Sequence, residues 1–236
     1  GCEKAHFRLA HYVDEAHVKS GSHHDVLLKI ALESYSKALA SGSQYIFQSM
    51  PRFLSLWLDY GSKVAKIQQR QSQPITHSSS FNRKSSGLKP SETSMISTFD
   101  EVQELVRKGI DKIPKYQFYT AIGQILSRVC HEHPAVINLL IDLIVHILNE
   151  YPQQTVWFVI SLHEATVAQR HERFQQICSK INALNPQRFR YIKQFVNLCG
   201  HLRAISDLFL TAERRDVKSF KISQVIRSFT RMLETW

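Results

Sequence analysis

Seventeen residues between two prolines constrain this chain more than any others. The run HPAVINLLIDLIVHILNEYPQQTVWF, residues 133–158, has Pro134 and Pro152 where helices should begin. Proline's fixed φ and missing N–H are tolerated in the first helical turn and break a helix interior. Between them Val136, Ile137, Leu139, Leu140, Ile141, Leu143, Ile144, Val145, Ile147 and Leu148 place apolar groups on nearly every face. A helix of that kind is covered by protein on most sides. It is too short for a bilayer span, and Asp142 and His146 interrupt it. The spacing therefore predicts the central helix of a helical stack.

The rest of the 236 residues supplies the neighbours. Helical periodicity predicts helices over 3–19, 24–40 and 44–48. Another is expected from Ser49 as N-cap, with Pro51 in its first turn, to Ile67. Trp57 shares an apolar stripe with Phe53, Leu54 and Leu58 and reads as a packing anchor; Gly61 on the same helix would let a neighbour approach closely. Further helices are expected over 99–112, 115–132, 135–150, 153–164, 167–184, 187–211 and 215–234. Turn-marking prolines at Pro114, Pro134, Pro152 and Pro186 separate them. Taking every helical pair, Pro114 to Pro152 is 38 residues and Pro152 to Pro186 is 34. Those periods fit tetratricopeptide or HEAT repeats. The fold class read from the pattern is all-α, an α-solenoid of antiparallel helix pairs.

One stretch breaks the pattern. Residues 68–98 contain nine serines, three threonines and two prolines among few apolar groups. Such a composition cannot bury enough surface to offset the entropy of ordering the backbone. The expected organisation is therefore helical repeats over 1–67, a disordered Ser-rich insert over 68–98, and helical repeats over 99–236. Cys2, Cys130, Cys178 and Cys199 have no paired spacing and read as buried reduced thiols. The chain starts at Gly1-Cys2 within a helical pattern and reads as a piece of something larger.

Several short runs carry a resemblance. Gln124-Ile125-Leu126-Ser127-Arg128, His133-Pro134, and Tyr151-Pro152-Gln153-Gln154 with Trp157 resemble the late FAT region of the phosphatidylinositol 3-kinase-related protein kinases. Cys2-Glu3-Lys4-Ala5-His6-Phe7 and the run from Gln48 through Met50-Pro51-Arg52-Phe53 to Gly61 are similar to the ATR-type checkpoint kinases within that family. The resemblance implies a non-catalytic scaffold that packs on a kinase domain of the same chain, beyond this sequence. It further implies a nuclear parent acting in the DNA-damage and replication-stress checkpoint, an obligate partner subunit, dimerisation, and ATP and magnesium sites belonging to the parent alone. Pro51, Trp57, Pro134, Tyr151, Pro152 and Trp157 are then structural positions, with Tyr151 and Trp157 expected as large buried aromatics. Ser72, followed by Gln73, matches the Ser-Gln preference of such kinases and is a candidate phosphosite.

No catalytic motif accompanies these runs. No two of the eight glycines form GxG, and GxxxxGK[ST], HRD and DFG are missing. Cys130-His131-Glu132-His133 is the densest cluster of candidate ligands, but a structural zinc site needs four in tetrahedral geometry. Without clear partners for such a site, its position before Pro134 reads instead as histidines at a helix C-terminus. Charge offers the one alternative. From Thr166 onward there are 13 Lys/Arg against 5 Asp/Glu, running from Arg170, Arg173, Lys180, Arg188, Arg190 and Lys193 to Arg231. With Phe189, Tyr191 and Phe195 interleaved, this third could bind nucleic acid phosphates. The same cations could instead dock on an acidic neighbouring surface, which is the preferred reading.

Overall fold

The prolines begin helices, as their chemistry requires. The computed structural model describes residues 2–20, 25–72 and 90–214, together with the isolated positions Arg227 and Thr230. Ten helices and no strand occur among the described residues: α1 Glu3–Lys19, α2 Asp25–Ser41, α3 Ile46–Ser72, α4 Pro90–Lys112 and α5 Lys115–Tyr119, then α6 Ile122–Ser127, α7 Pro134–Glu150, α8 Pro152–His163, α9 Ala168–Leu184 and α10 Pro186–Arg214. Pro134 and Pro152 occupy the first turns of α7 and α8, Pro186 opens α10, and Pro114 directly precedes α5.

Three expectations are corrected. The helices expected over 44–48 and 49–67 are one, α3, so Pro51 lies inside it and Ser49 is a buried interior residue, not a cap. Pro51 survives there on an exposed face, its carbonyl accepting from Gln124 Nε2 at 3.2 Å. The Ser-rich boundaries also move: α3 continues to Ser72 and α4 begins at Pro90, so 68–72 and 90–98 are helical. Residues 73–89, and the helix expected over 215–234 apart from the two isolated positions, lie outside the described residues. Finally, the helix expected over 115–132 is two short ones. Thr120 Oγ1 donates to the Gln117 carbonyl at 2.7 Å, and Ala121 N–H turns back to Phe118 O at 3.0 Å. A threonine hydroxyl competing for backbone in this way favours a turn over helix continuation.

Pairings show how the helices stack. The start of α1 lies by the turn that follows α2, and its later part faces the middle of α2: Glu3 Oε1 accepts from the Tyr45 amide at 2.8 Å, and Asp14 accepts from Tyr35. That is an antiparallel pair. Alternate helices run parallel with a nearly constant offset. Between α7 and α9, Lys180 Nζ bonds Asp142 at 2.5 Å, a separation of 38 residues, and Asn185 bonds Asn149, 36 apart. Between α8 and α10, Arg203 bonds Glu164, 39 apart. A helix packing on the next but one, displaced by one repeat length, is the signature of a helical solenoid. Helices α5, α7 and α9 form one layer of this stack and α6, α8 and α10 the other, while α4 joins α7 to the α2–α3 pair.

One hydrophobic cluster runs through both parts, from Ala10 and Val13 of α1 to Ile192 and Phe195 of α10. Nine of the 17 residues of α7 are buried in it, as a central helix demands. The polar interruptions lie to its sides: His146 is exposed, and half-buried Asp142 is the partner of Lys180.

Candidate functional site

Helix α3 is the hub where the two parts meet. Trp57 is fully buried, and its Nε1–H donates to Gln103 Oε1 of α4. One turn on, Tyr60 donates to the Met95 carbonyl at 3.0 Å and lies 2.6 Å from Thr98 Oγ1, which donates to Asp25 of α2 at 3.1 Å. Burial pushes the Tyr60 phenol up to about 12, with Asp25 adding to the effect. Two turns earlier on α3, Arg52 grips Asp14 of α1 through two bonds, Nε to Oδ2 at 2.5 Å and Nη2 to Oδ1 at 2.7 Å. Tyr35 of α2 donates to the same carboxylate at 3.2 Å, and its burial raises the phenol well above its ordinary range. A bidentate charged pair with a third donor locks direction as well as distance.

The Cys130–His133 cluster sits on this hub. His131 is buried against α3, its Nε2–H donating to the Leu58 carbonyl at 2.8 Å with Ser62 Oγ at 3.0 Å. His133 is the N-cap of α7, Nδ1 accepting from the Ala135 amide at 3.2 Å; the reading of these histidines as helix C-terminal groups is thereby corrected. Gly61 faces them. A Cβ there would lie 2.8 Å from Val136 Cγ2 and 3.1 Å from His131 Cε1, so α7 approaches α3 across a gap only glycine leaves open. No group of three or more His, Cys, Asp or Glu side chains among the described residues is placed to hold a metal ion.

Gln117 is the anchor that periodicity did not reveal. Its Nε2 donates to the carbonyls of Leu39 and Gly42 at 2.8 and 2.9 Å, satisfying the end of α2 from α5 while the residue stays 1% exposed. The helix end at Ser41-Gly42, followed by an amide donor on a short apolar helix, is the only signal for it in the sequence.

The C-terminal layers look different. Trp157 is 58% exposed and meets the edge of Phe195 at a centroid distance of 4.5 Å; Tyr151 is half-buried at the α7–α8 turn. Both were expected to be buried; α8 turns the 153, 154, 157 and 161 face outward, and Trp157 lies on it. Of the cations, Lys180 pairs with Asp142, Arg203 with Glu164, and Arg173 contacts Glu172 and Gln176. Lys193 lies over the Phe189 ring at 4.7 Å. Basic residues from Arg215 on, Arg227 apart, lie outside the described residues. All four cysteines are free. Cys2 is exposed, a correction, and the others are half-buried, with burial raising the Cys178 thiol to about 11. Ser72, the candidate phosphosite, is exposed at the end of α3 with its hydroxyl on the Gln68 carbonyl at 3.0 Å. Among the described residues no helix is long and apolar enough to cross a membrane.

Comparison with known proteins agrees with the resemblance to ATR-type kinases. Residues 101–199 match the family "Serine/threonine-protein kinase ATR-like, HEAT repeats". Among curated proteins the chain is 30% identical to the serine/threonine-protein kinase ATR of Oryza sativa subsp. indica over 74% of its own length, and 29% identical to that of Arabidopsis thaliana over 74%. It is 26% identical to the protein kinase rad3 of Schizosaccharomyces pombe over 84%. The chain spans only 6%, 7% and 9% of those relatives' lengths, respectively. No solved structure matches it significantly. Helix-pair architecture, matched repeats and relatives converge: this chain belongs with the helical HEAT repeats of the ATR-like serine/threonine-protein kinases.

Proposed function

We propose that this chain is a non-catalytic helical scaffold, part of the FAT region of an ATR-like serine/threonine kinase, which packs on and regulates a kinase domain outside this sequence. The observation that supports it is the single apolar cluster extending from α1 to α10, with α3 hydrogen-bonded at its centre to α4 and to the turn that precedes α7. Rigid elements packed in series can pass a displacement from one end to the other. In this reading ATP and magnesium belong to the parent's kinase domain, the parent works in the nucleus in the DNA-damage and replication-stress checkpoint, and an obligate partner subunit and dimerisation act through the solenoid's exposed faces.

The test is ATP-dependent phosphorylation of a Ser-Gln peptide, comparing this chain with one extended C-terminally by a kinase domain. Activity only in the extended protein, altered by Trp57→Ala with no ATP contact touched, is the expected result. Activity in this chain alone, or an extended protein indifferent to Trp57→Ala, would sink the proposal.

A further inference from the structure

The turn that joins α6 to α7 uses histidine lone pairs as structural acceptors. His133 caps α7 with Nδ1, the Ala135 amide donating to it at 3.2 Å, in a position that Ser, Thr, Asp or Asn ordinarily fills. Its own amide donates to Nδ1 of His131 at 3.0 Å, which leaves the His131 proton on Nε2, aimed at the Leu58 carbonyl of α3. Phe99 of α4 lies against the His133 ring at a centroid distance of 4.1 Å. His133 is 8% exposed, and its Nε2 is buried without a hydrogen-bond partner among the described residues.

We propose that the His131–His133 turn is an acid-sensitive latch between α7 and the α3–α4 pair, closed only while His133 is neutral. A second proton would have to sit on Nδ1, turning the cap's acceptor into a donor pointed at the Ala135 N–H. The charged ring would then lie buried with no anionic partner in contact among the described residues. The groups facing it argue the same way. The turn presents His131, which disfavours a second charge. From α4, Asp100 favours it and Phe99 adds a neutral ring, while α3 offers only Ser62 and the Leu58 carbonyl, both to His131. Burial is the largest of these influences and holds the His133 pKa below its ordinary value. The sign follows: a depressed histidine contributes stability that is present above the unfolded pKa and is lost as pH falls through the folded one. Opening the turn would free the end of α7 that fits against Gly61 and separate the two halves of the stack there.

The experiment compares the unfolding equilibrium of the intact chain with that of His133→Asn, whose amide oxygen keeps the cap but does not titrate. The other histidines contribute equally to both proteins and cancel. Between about pH 7.5 and about pH 5.5 the wild-type chain should lose close to tenfold more in its folding equilibrium than the variant, the limit for excluding one proton from a group of unfolded pKa about 6.5. Equal losses overturn the proposal. Should the variant fail to fold, amide exchange in the wild-type chain decides. Faster exchange at the lower pH, after correction for intrinsic rates, is expected in residues 131–140 and not in α9. A uniform change, or none, overturns it.

Discussion

Two tryptophans separate the centre of this stack from its last layers. Trp57 is fully buried among α3, α4 and their neighbours, while Trp157 is 58% exposed on α8, touching Phe195 by its edge. Both sit mid-helix in aromatic-rich runs. Their helical neighbours differ: at three and four residues' distance Trp57 has Phe53, Leu54, Tyr60 and Gly61, whereas Trp157 has Gln153, Gln154, Ile160 and Ser161. One tryptophan continues an apolar stripe and the other interrupts a polar one, so only the first is positioned to enter a core. The central helices are held by interior packing and cross-helix hydrogen bonds, whereas the last layers carry apolar and basic surface that faces out.

The largest expected effect breaks that contrast at its strong end. Trp57→Ala removes a fully buried ring and strands Gln103, and should cost about 3 to 5 kcal/mol in urea unfolding. A loss as small as that of an exposed residue would mean the α3–α4 contact does not hold the halves together. Gly61→Ala comes next, at about 1 to 3 kcal/mol, because the new methyl overlaps Val136. Adding Val136→Ala should recover part of the Gly61→Ala cost in a double-mutant cycle; strictly additive effects would show that α7 yields without strain. Trp157→Ala should cost about 0.5 to 1.5 kcal/mol, the scale of one aromatic edge contact. A cost matching that of Trp57 would erase the distinction.

The architecture was legible in the sequence because it rests on local rules. Prolines 114, 134, 152 and 186 mark helix starts through backbone chemistry. The Pro114 to Pro152 spacing of 38 falls within the 36- to 39-residue offsets seen between stacked helices, with Pro152 to Pro186, at 34, slightly shorter. What escaped depends on distant partners. Composition extended the Ser-rich segment over 90–98, yet this stretch is helical because Thr98 and Ser94 bond Asp25 and Phe99 enters the core. Gln117 and the histidine turn were obscured for the same reason: an amide or imidazole satisfied by a carbonyl more than 70 residues away leaves no periodic trace. Trp157 was read by residue type when its polar helical neighbours already spoke against burial.

The smallest expected effect lies on α10 and tests what the basic surface does. Arg188 and Arg190 carry no ion pair among the described residues, unlike Lys180 and Arg203, whose charges are matched by Asp142 and Glu164. Arg188→Glu with Arg190→Glu should therefore leave the unfolding free energy within about 0.5 kcal/mol, as surface changes do. The same pair decides between docking and phosphate recognition. A phosphate-binding face would bind DNA or RNA with an affinity that falls steeply with salt, and losing two contacts would lower the logarithmic slope by about 2. We expect no measurable binding of either nucleic acid by the wild-type chain even at low salt, since part of the charge is already spent within the fold. Salt-dependent binding abolished by the double substitution would reverse that and make the last layers a nucleic-acid surface on a scaffold whose centre serves packing alone.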